Sequence, residues 1–325
     1  HESSNDVLEF IHQSPLDSTV GQWLKPFDVT GPLAMLLKLT LPLTDEDAIE
    51  VNGQLEFLGD TATWVDAKQS LTNVNGKLNF DNKSNVSAKA IKAVLEGGNV
   101  FLDVDTSKEK KVASAVNLNF SGVMTDEQIS KLSKQVKIKD YIEGQSAYSG
   151  QVTIPYDGSS VDFNLSTGLI GMAVSLPDNL GKEKQESKPL MVNGQYDFAK
   201  ALLQIALDYK KSINAVVKLE ETADGLSDIS LNMQLPSFTW PFTSESTSIQ
   251  GDDNATSALK SRLKAIELKV GQLNLYGNNL SAVVVAGKRT ATGQSWIINS
   301  EQAKGQLMIE NDSKLPIKAT FNYIV

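Results

Sequence analysis

Three copies of one seven-residue phrase constrain this chain more than any other feature. It reads Val-Asn-Gly-Gln-Leu-Glu-Phe at Val51–Phe57, Val-Asn-Gly-Lys-Leu-Asn-Phe at Val74–Phe80 and Val-Asn-Gly-Gln-Tyr-Asp-Phe at Val192–Phe198. Looser versions stand at Tyr148–Ile154, Val270–Leu275 and Ala303–Ile309. In each tight copy the apolar residues alternate with Asn, Gln, Lys, Glu or Asp, which is the period of a half-buried β-strand with one dry and one wet face. The glycine is in phase with the dry face. A glycine there makes room for something that must approach closely, or marks a bend in the sheet.

The alternation continues along most of the chain. Leu33, Met35, Leu37, Leu39, Leu41 and Leu43 keep one phase up to Pro42 and the acidic turn Asp45–Asp47. Val86 and Ala88 hold an even phase that becomes odd at Ile91, Ala93 and Leu95, so a bulge or break is expected between them. Gly97-Gly98 turns the chain into Val100, Leu102 and Val104. The pattern returns at Val116–Gly122, Val161–Leu165, Ile170–Leu176, Leu203–Tyr209, Ile213–Leu219, Ile229–Leu235, Ile266–Leu275, Leu280–Ala286 and Ile317–Val325. Roughly 15 to 18 strands result, most joined by short polar turns such as Tyr156-Asp157-Gly158 and Asp224-Gly225. A sandwich, a closed barrel and an open sheet curled into a trough all satisfy this pattern. Only the trough leaves the dry face partly uncovered.

Two passages read as helical. In Ser3–Lys25, Val7, Phe10 and Ile11 share a face, and Ser14-Pro15 resembles a cap before Val20, Trp23 and Leu24. In Thr125–Val136, Thr125 and Gln128 form a capping-box pair ahead of Ile129, Leu132 and Val136. Both are expected to plug or line one end of a sheet. The chain therefore divides into an N-terminal helical segment, 1–28, and a β-module, 29–325, with possible subdivisions near 124–147 and 243–260. The polar stretch Thr243–Ser257 reads as a mobile loop or insertion.

Charge narrows the partners. The chain carries 30 basic and 39 acidic residues, and only Arg262 and Arg289 are arginines. Nucleic acid is excluded as a partner, because phosphate tracking needs clustered Lys and Arg. There is no cysteine, hence no disulfide framework and no thiolate chemistry. Such a composition suits an oxidising compartment. No apolar run reaches the ~18 residues that a spanning helix needs. The opening His1-Glu2 has no signal-peptide pattern and suggests a piece of a longer chain.

Catalytic arrangements are missing. The two histidines are His1 and His12, and a Ser-His-Asp set would have to use His12 on a helix, without a nucleophile elbow. Ser257-Ala-Leu-Lys260 fits Ser-x-x-Lys by composition alone. Asp103-x-Asp105 and Asp45-x-Asp47 lack the glycine and terminal Glu of a calcium loop, and read as a solvated strand face and a turn. No enzyme activity, catalytic residue, cofactor or metal site is expected.

Several segments, taken in order, resemble a known family. Val29-Thr-Gly31-Pro-Leu33 through Leu39-Thr-Leu41-Pro42-Leu43 is one, and Leu71–Phe80 followed by Val86-Ser-Ala88 and Ile91-Lys-Ala93-Val-Leu95-Glu-Gly97 is another. Leu169-Ile-Gly171 with Leu176-Pro177-Asp-Asn-Leu180-Gly181-Lys182, and Trp296-Ile-Ile-Asn-Ser300 with Ala303-Lys-Gly305, complete the match. Together they resemble YhdP-type proteins of the bacterial AsmA-like group, from about Val29 to the C-terminus. The resemblance implies a mainly β fold, with a long antiparallel, strongly twisted sheet curled into an open hydrophobic groove and short helices near the N-terminus and at about 125–136. It implies a periplasmic segment of an inner-membrane-anchored protein of a Gram-negative bacterium, which conducts phospholipid acyl chains between inner and outer membrane. Both membranes would be reached through parts beyond this chain, and envelope protein partners stay unnamed.

On that reading the lipid-contacting dry face comprises Leu78, Phe80, Val100, Leu102, Val116, Leu118, Phe120, Phe163, Leu165, Met172, Val174, Val217, Leu231 and Met233. Lys77, Asn79, Asn117, Asn119, Asp162, Asn164, Lys218 and Asn232 should face water. Such a strip holds acyl chains by removing apolar surface from water, at about 25 cal/mol per Å², without fixing their position. With strands about 4.8 Å apart, roughly 16 in series make a trough on the order of 75 Å long. Two alternatives stay open: a non-catalytic β-sandwich binding or adhesion module, and a passive envelope scaffold.

Overall fold

The structure, a computed structural model, describes residues 2–18, 21, 24–25, 27–41, 49–64, 69–83, 85–109, 112–132, 138–176, 178–222, 227–240, 262–310 and 317–324. The fold is mainly β, built on twisted sheet that does not close into a barrel, with two short α-helices among the described residues. It forms two compact units, 1–132 with 145–167, and 133–144 with 168–325.

In the first unit, strands β3 (Pro32–Thr40), β4 (Glu50–Trp64), β5 (Gln69–Asp81), β6 (Val86–Leu95), β7 (Gly98–Glu109), β8 (Val112–Thr125), β9 (Ile142–Pro155) and β10 (Ser160–Thr167) pair antiparallel in chain order. The long β4 also accepts β2 (Phe27–Thr30) beyond the point where β3 ends. Gly31 turns the chain between them at a φ of +133°, with its missing side chain filled by Asp60. The short β1 (Glu2–Ser3) lies on β3.

The phase shift in β6 is a bulge, as the pattern requires. Register slips between Ala88 and Ile91, and Ala90 takes a φ of +53°. Asp103 on β7 stabilises the bulge by accepting the Ala90 N–H at 2.8 Å and the Lys89 ammonium at 3.0 Å. The backbone N–H first, then Lys89, hold the Asp103 carboxyl below its usual value. Both phases of β6 consequently bury their apolar residues on one face.

Helix α1 (Ser4–Gln13) and the 3-10 turn Pro15–Ser18 occupy the first helical passage. Val7, Ile11, Leu16 and Leu24 join a single core with Leu33, Leu55, Leu78, Val104 and Val116 of the sheet. Phe10 does not share that face, contrary to the expectation, and is 47% exposed. Val7 and Ile11, four apart, define the buried stripe, and Phe10 falls beside it. Helix α2 (Asp126–Leu132) starts with the expected capping box, in which Thr125 N–H donates to Gln128 Oε1 at 2.9 Å and Gln128 N–H to Thr125 Oγ1 at 3.3 Å. Val136, Val20, Trp23 and the turn Asp45–Asp47 lie outside the described residues.

In the second unit, the first residues of β9 pair with β11 (Met172–Val174). Strands β12 (Leu190–Asp197), β13 (Leu202–Tyr209), β14 (Ile213–Glu221) and β15 (Ser227–Trp240) form an antiparallel meander. A second meander runs through β16 (Leu263–Leu275), β17 (Asn278–Arg289), β18 (Gly293–Asn299), β19 (Ala303–Glu310) and β20 (Lys318–Ile324). The link between them departs from the hairpin expectation, because β15 and β16 run parallel. A parallel pair needs a crossover of a dozen residues or more, and 241–261 supplies that length. The expected loop Thr243–Ser257 and Lys260 of the Ser-x-x-Lys motif fall in that stretch, outside the described residues.

The in-phase glycines face aromatic rings. Gly53 lies opposite Phe80, Gly122 opposite Tyr148, Gly150 opposite Phe120, Gly287 opposite Trp296 and Gly305 opposite Phe321. In each pair a methyl group on the glycine would collide with the ring. The rings therefore lie down over the bare backbone, an arrangement that compensates a strand glycine and keeps the dry face low. At Gly150 the Asn164 carbonyl oxygen also crowds the missing Cβ.

Replacing a strand glycine by alanine ordinarily stabilises by roughly 0.5–1 kcal/mol. Here the sign should reverse, with Gly53→Ala and Gly150→Ala each costing about 1–3 kcal/mol in denaturant unfolding. Phe80→Leu should recover part of the Gly53→Ala loss. Phe120→Leu should recover less at Gly150, since the backbone oxygen stays in place.

Candidate functional site

The register lines the apolar residues into rows that run across the strands. In the first unit one row is Met35, Leu55, Leu78, Ala88, Val104, Leu118, Val152 and Phe163, each directly opposite the next. In the second, one row is Val192, Leu207, Ala215, Met233, Leu268, Val285, Ile298 and Gly305. Its neighbour is Gly194, Ile205, Val217, Leu231, Ile266, Gly287, Trp296 and Leu307. No polar side chain interrupts these rows. Eight strands at about 4.8 Å carry each of them over roughly 34 Å.

Polar residues make matching rows on the opposite face. Asp105 accepts from Asn117 at 3.0 Å and Asn119 at 3.1 Å, while Gln151 donates to Asn119 at 2.9 Å and Thr153 to Asn117 at 3.0 Å. Gln54 donates to Asn79 at 2.9 Å, and Asn232 to Glu267 at 3.0 Å. Lys77 pairs with Glu56 across strands at 3.5 Å. Asp162 and Asn164 stand opposite Thr153 and Gln151, and Lys218 opposite Ser230, in the same phase. Asp103 and Asp105 serve the strand face in this way, and no group of acidic or His residues suited to a metal occurs among the described residues.

The two units cover their dry faces differently. Leu78, Phe80, Val100, Leu102 and Val116 are only 1–6% exposed, inside the core shared with α1. Met172 is equally buried. Leu118, Phe120, Phe163, Leu165, Val174, Val217, Leu231 and Met233 are half-buried. In the second unit a small cluster of Leu235, Val270 and Val283 is closed by Leu180, with Leu176 beside it. That cluster flanks the Met233 row along β15–β17, and most of the row stays half-covered.

The capping segment is held by charges that the periodicity did not mark. Lys182 is buried and donates to the carbonyls of Leu169 at 2.9 Å, Glu183 at 2.7 Å and Met172. Lys188 donates to the carbonyls of Asn179 and Gly181, and its ammonium sits 4.4 Å from the centre of the Tyr209 ring. Burial lowers the pKa of both lysines, against the attraction of Glu186. Burial, reinforced by Glu186, pushes Tyr209 up to about 12, and its hydroxyl is buried without a hydrogen-bond partner. Leu176, Leu180 and Lys182 are visible in the sequence only as matched letters, because an irregular segment carries no period.

A family model described as YhdP protein matches residues 1–325. No curated protein and no solved structure matches the chain. No described helix is long and apolar enough to cross a membrane.

Tyr209 yields a pH prediction. It holds its proton more tightly folded than unfolded, so stability is unaffected by this group below pH ~10 and falls as pH rises from there toward about 12. Tyr209→Phe should remove that alkaline loss and delete the last-ionising tyrosine from an absorbance titration. At neutral pH the variant should be as stable as the parent or slightly more so, because a buried hydroxyl without a partner is destabilising.

Proposed function

The chain belongs to the YhdP family, AsmA-like proteins of the bacterial envelope, and from that premise we propose that it is a periplasmic segment of a bridge conducting phospholipid acyl chains between the inner and outer membranes. The observation that carries this reading is the pair of uninterrupted apolar rows in the second unit, half-covered along most of their length. An acyl chain laid along such a row loses water contact at about 0.8 kcal/mol per buried CH₂. The attraction has no preferred position, so a chain can move from one strand to the next at little cost. A polar residue in the row would interrupt that passage, and none is present.

Lipid contact is assigned first to Leu118, Phe120, Phe163, Leu165, Val174, Val217, Leu231 and Met233. Leu78, Phe80, Val100, Leu102, Val116 and Met172 are part of the same face, and there a lipid would first have to displace the side chains that cover them. No catalytic or cofactor role is proposed for any residue. Inner and outer membranes are proposed as partners through other parts of the protein.

A photo-crosslinking residue at Leu118, Phe163 or Leu231 should capture phospholipid in cells, and the same probe at Asn119, Asn164 or Asn232 should not. Equal capture on both faces would overturn the assignment. Carboxylate substitutions provide a second test. Leu78→Asp should cost several kcal/mol and unfold the first unit, because an unpaired charge is buried there. Val217→Asp or Leu231→Asp should leave folding nearly intact, since the carboxylate reaches water, while lipid capture falls. Severe unfolding of all three would instead favour a closed structural core.

A further inference from the structure

We infer that the cleft between the 179–189 segment and the β13–β14 turn is a phosphate-recognition subsite, which holds the phosphodiester headgroup of a glycerophospholipid whose acyl chains lie on the dry face. The inference rests on the lipid-conducting reading above and adds to it a defined station for the headgroup.

The cleft has a volume of about 530 Å³, and Lys188, Lys210 and Lys211 all line it. One carboxylate, Glu186, shares the lining, and it accepts the N–H of Glu183 at 3.3 Å. Three ammonium groups against one carboxylate is a local reversal in a chain whose acidic residues outnumber the basic by 39 to 30. Lys210 and Lys211 form no ion pair with the described residues.

The walls are tied together. Ser212 Oγ donates to the Asn179 carbonyl at 2.5 Å, and Asn179 Nδ2 donates to the Lys211 carbonyl at 3.2 Å. Lys188 spends two of its three N–H donors on the carbonyls of Asn179 and Gly181, which leaves one to offer. Its position over the Tyr209 ring fixes the ammonium further.

The dry face begins one residue away on each wall. Leu180 follows Asn179 and closes the Leu235, Val270 and Val283 cluster, and Ile213 follows Ser212 and packs on the same cluster. A ligand that is anionic at one end and apolar at the other is therefore matched across this border. An apolar row alone lets a lipid slide; a charged cleft beside it gives the sliding chain a resting point.

Binding of dioleoylphosphatidylglycerol, dioleoylglycerol and inorganic phosphate to the purified protein tests this, read by displacement of a fluorescent fatty acid and by native mass spectrometry. The parent should prefer the phosphatidyl lipid over the diacylglycerol by on the order of tenfold, as a few partly exposed charge contacts supply. Raising salt should erode that preference without affecting the diacylglycerol. Lys210→Gln combined with Lys211→Gln should abolish the preference and leave diacylglycerol binding and Tm unchanged. A preference that survives both the variant and high salt would overturn the subsite and leave the apolar groove standing. Absence of binding by either lipid would overturn the groove itself, and the subsite with it. Inorganic phosphate that binds as tightly as the lipid would show a free-anion site and overturn the headgroup assignment.

Discussion

The structure depends on cross-strand registration of its apolar rows. A one-residue slip in any pairing would turn a whole strand's apolar set to the wet side. In the first unit the devices that prevent this are visible. The bulge at Ala90, locked by Asp103, restores the phase of β6, and a second irregularity at Asp60 accommodates the junction of β2 and β3 on β4. Asp60 is fully buried, with one oxygen on the Leu58 N–H at 2.7 Å. Rings lying over glycines then keep the rows level. Registration, bulge and ring placement are one arrangement, because each maintains a continuous dry surface across antiparallel strands.

What covers that surface separates the two units. In the first, α1 and the turn after it place Val7, Ile11 and Leu16 on the sheet, and most of the apolar face from Leu33 to Val116 becomes an ordinary core, while Leu118, Phe120, Phe163 and Leu165 stay half-buried. Burying a full aliphatic side chain there is worth about 1.5–3 kcal/mol. In the second, Leu180 with its neighbour Leu176 closes the cluster that flanks the rows, among the described residues. The half-covered remainder retains surface that still gains from contact with an apolar guest. On the proposed reading, stability and capacity for lipid are drawn from the same face in different proportions.

The buried lysines around the capping segment follow from that division. A loop laid over the end of an open sheet has carbonyl groups that no strand can pair, and buried carbonyls require donors. Lys182 and Lys188 supply several each, and so hold the irregular segment without a disulfide in a chain that has no cysteine. The same economy leaves positive charge at the rim of the apolar face.

The sequence alone determined the strand class, the dry and wet phases, the bulge before Ile91 and the capping box at Thr125, because each is a local rule of spacing. It also contained the family resemblance through the order of short matched segments. The parallel step from β15 to β16, the exposure of Phe10 and the lysine-bound cap over Leu235 were not legible, since none follows from local period. Asn119 and Leu118 show the limit well: adjacent letters assign them to opposite faces, yet nothing in the letters says whether Leu118 meets a helix, another sheet or water. Period two specifies which way a side chain points, and only the tertiary structure decides what stands in front of it.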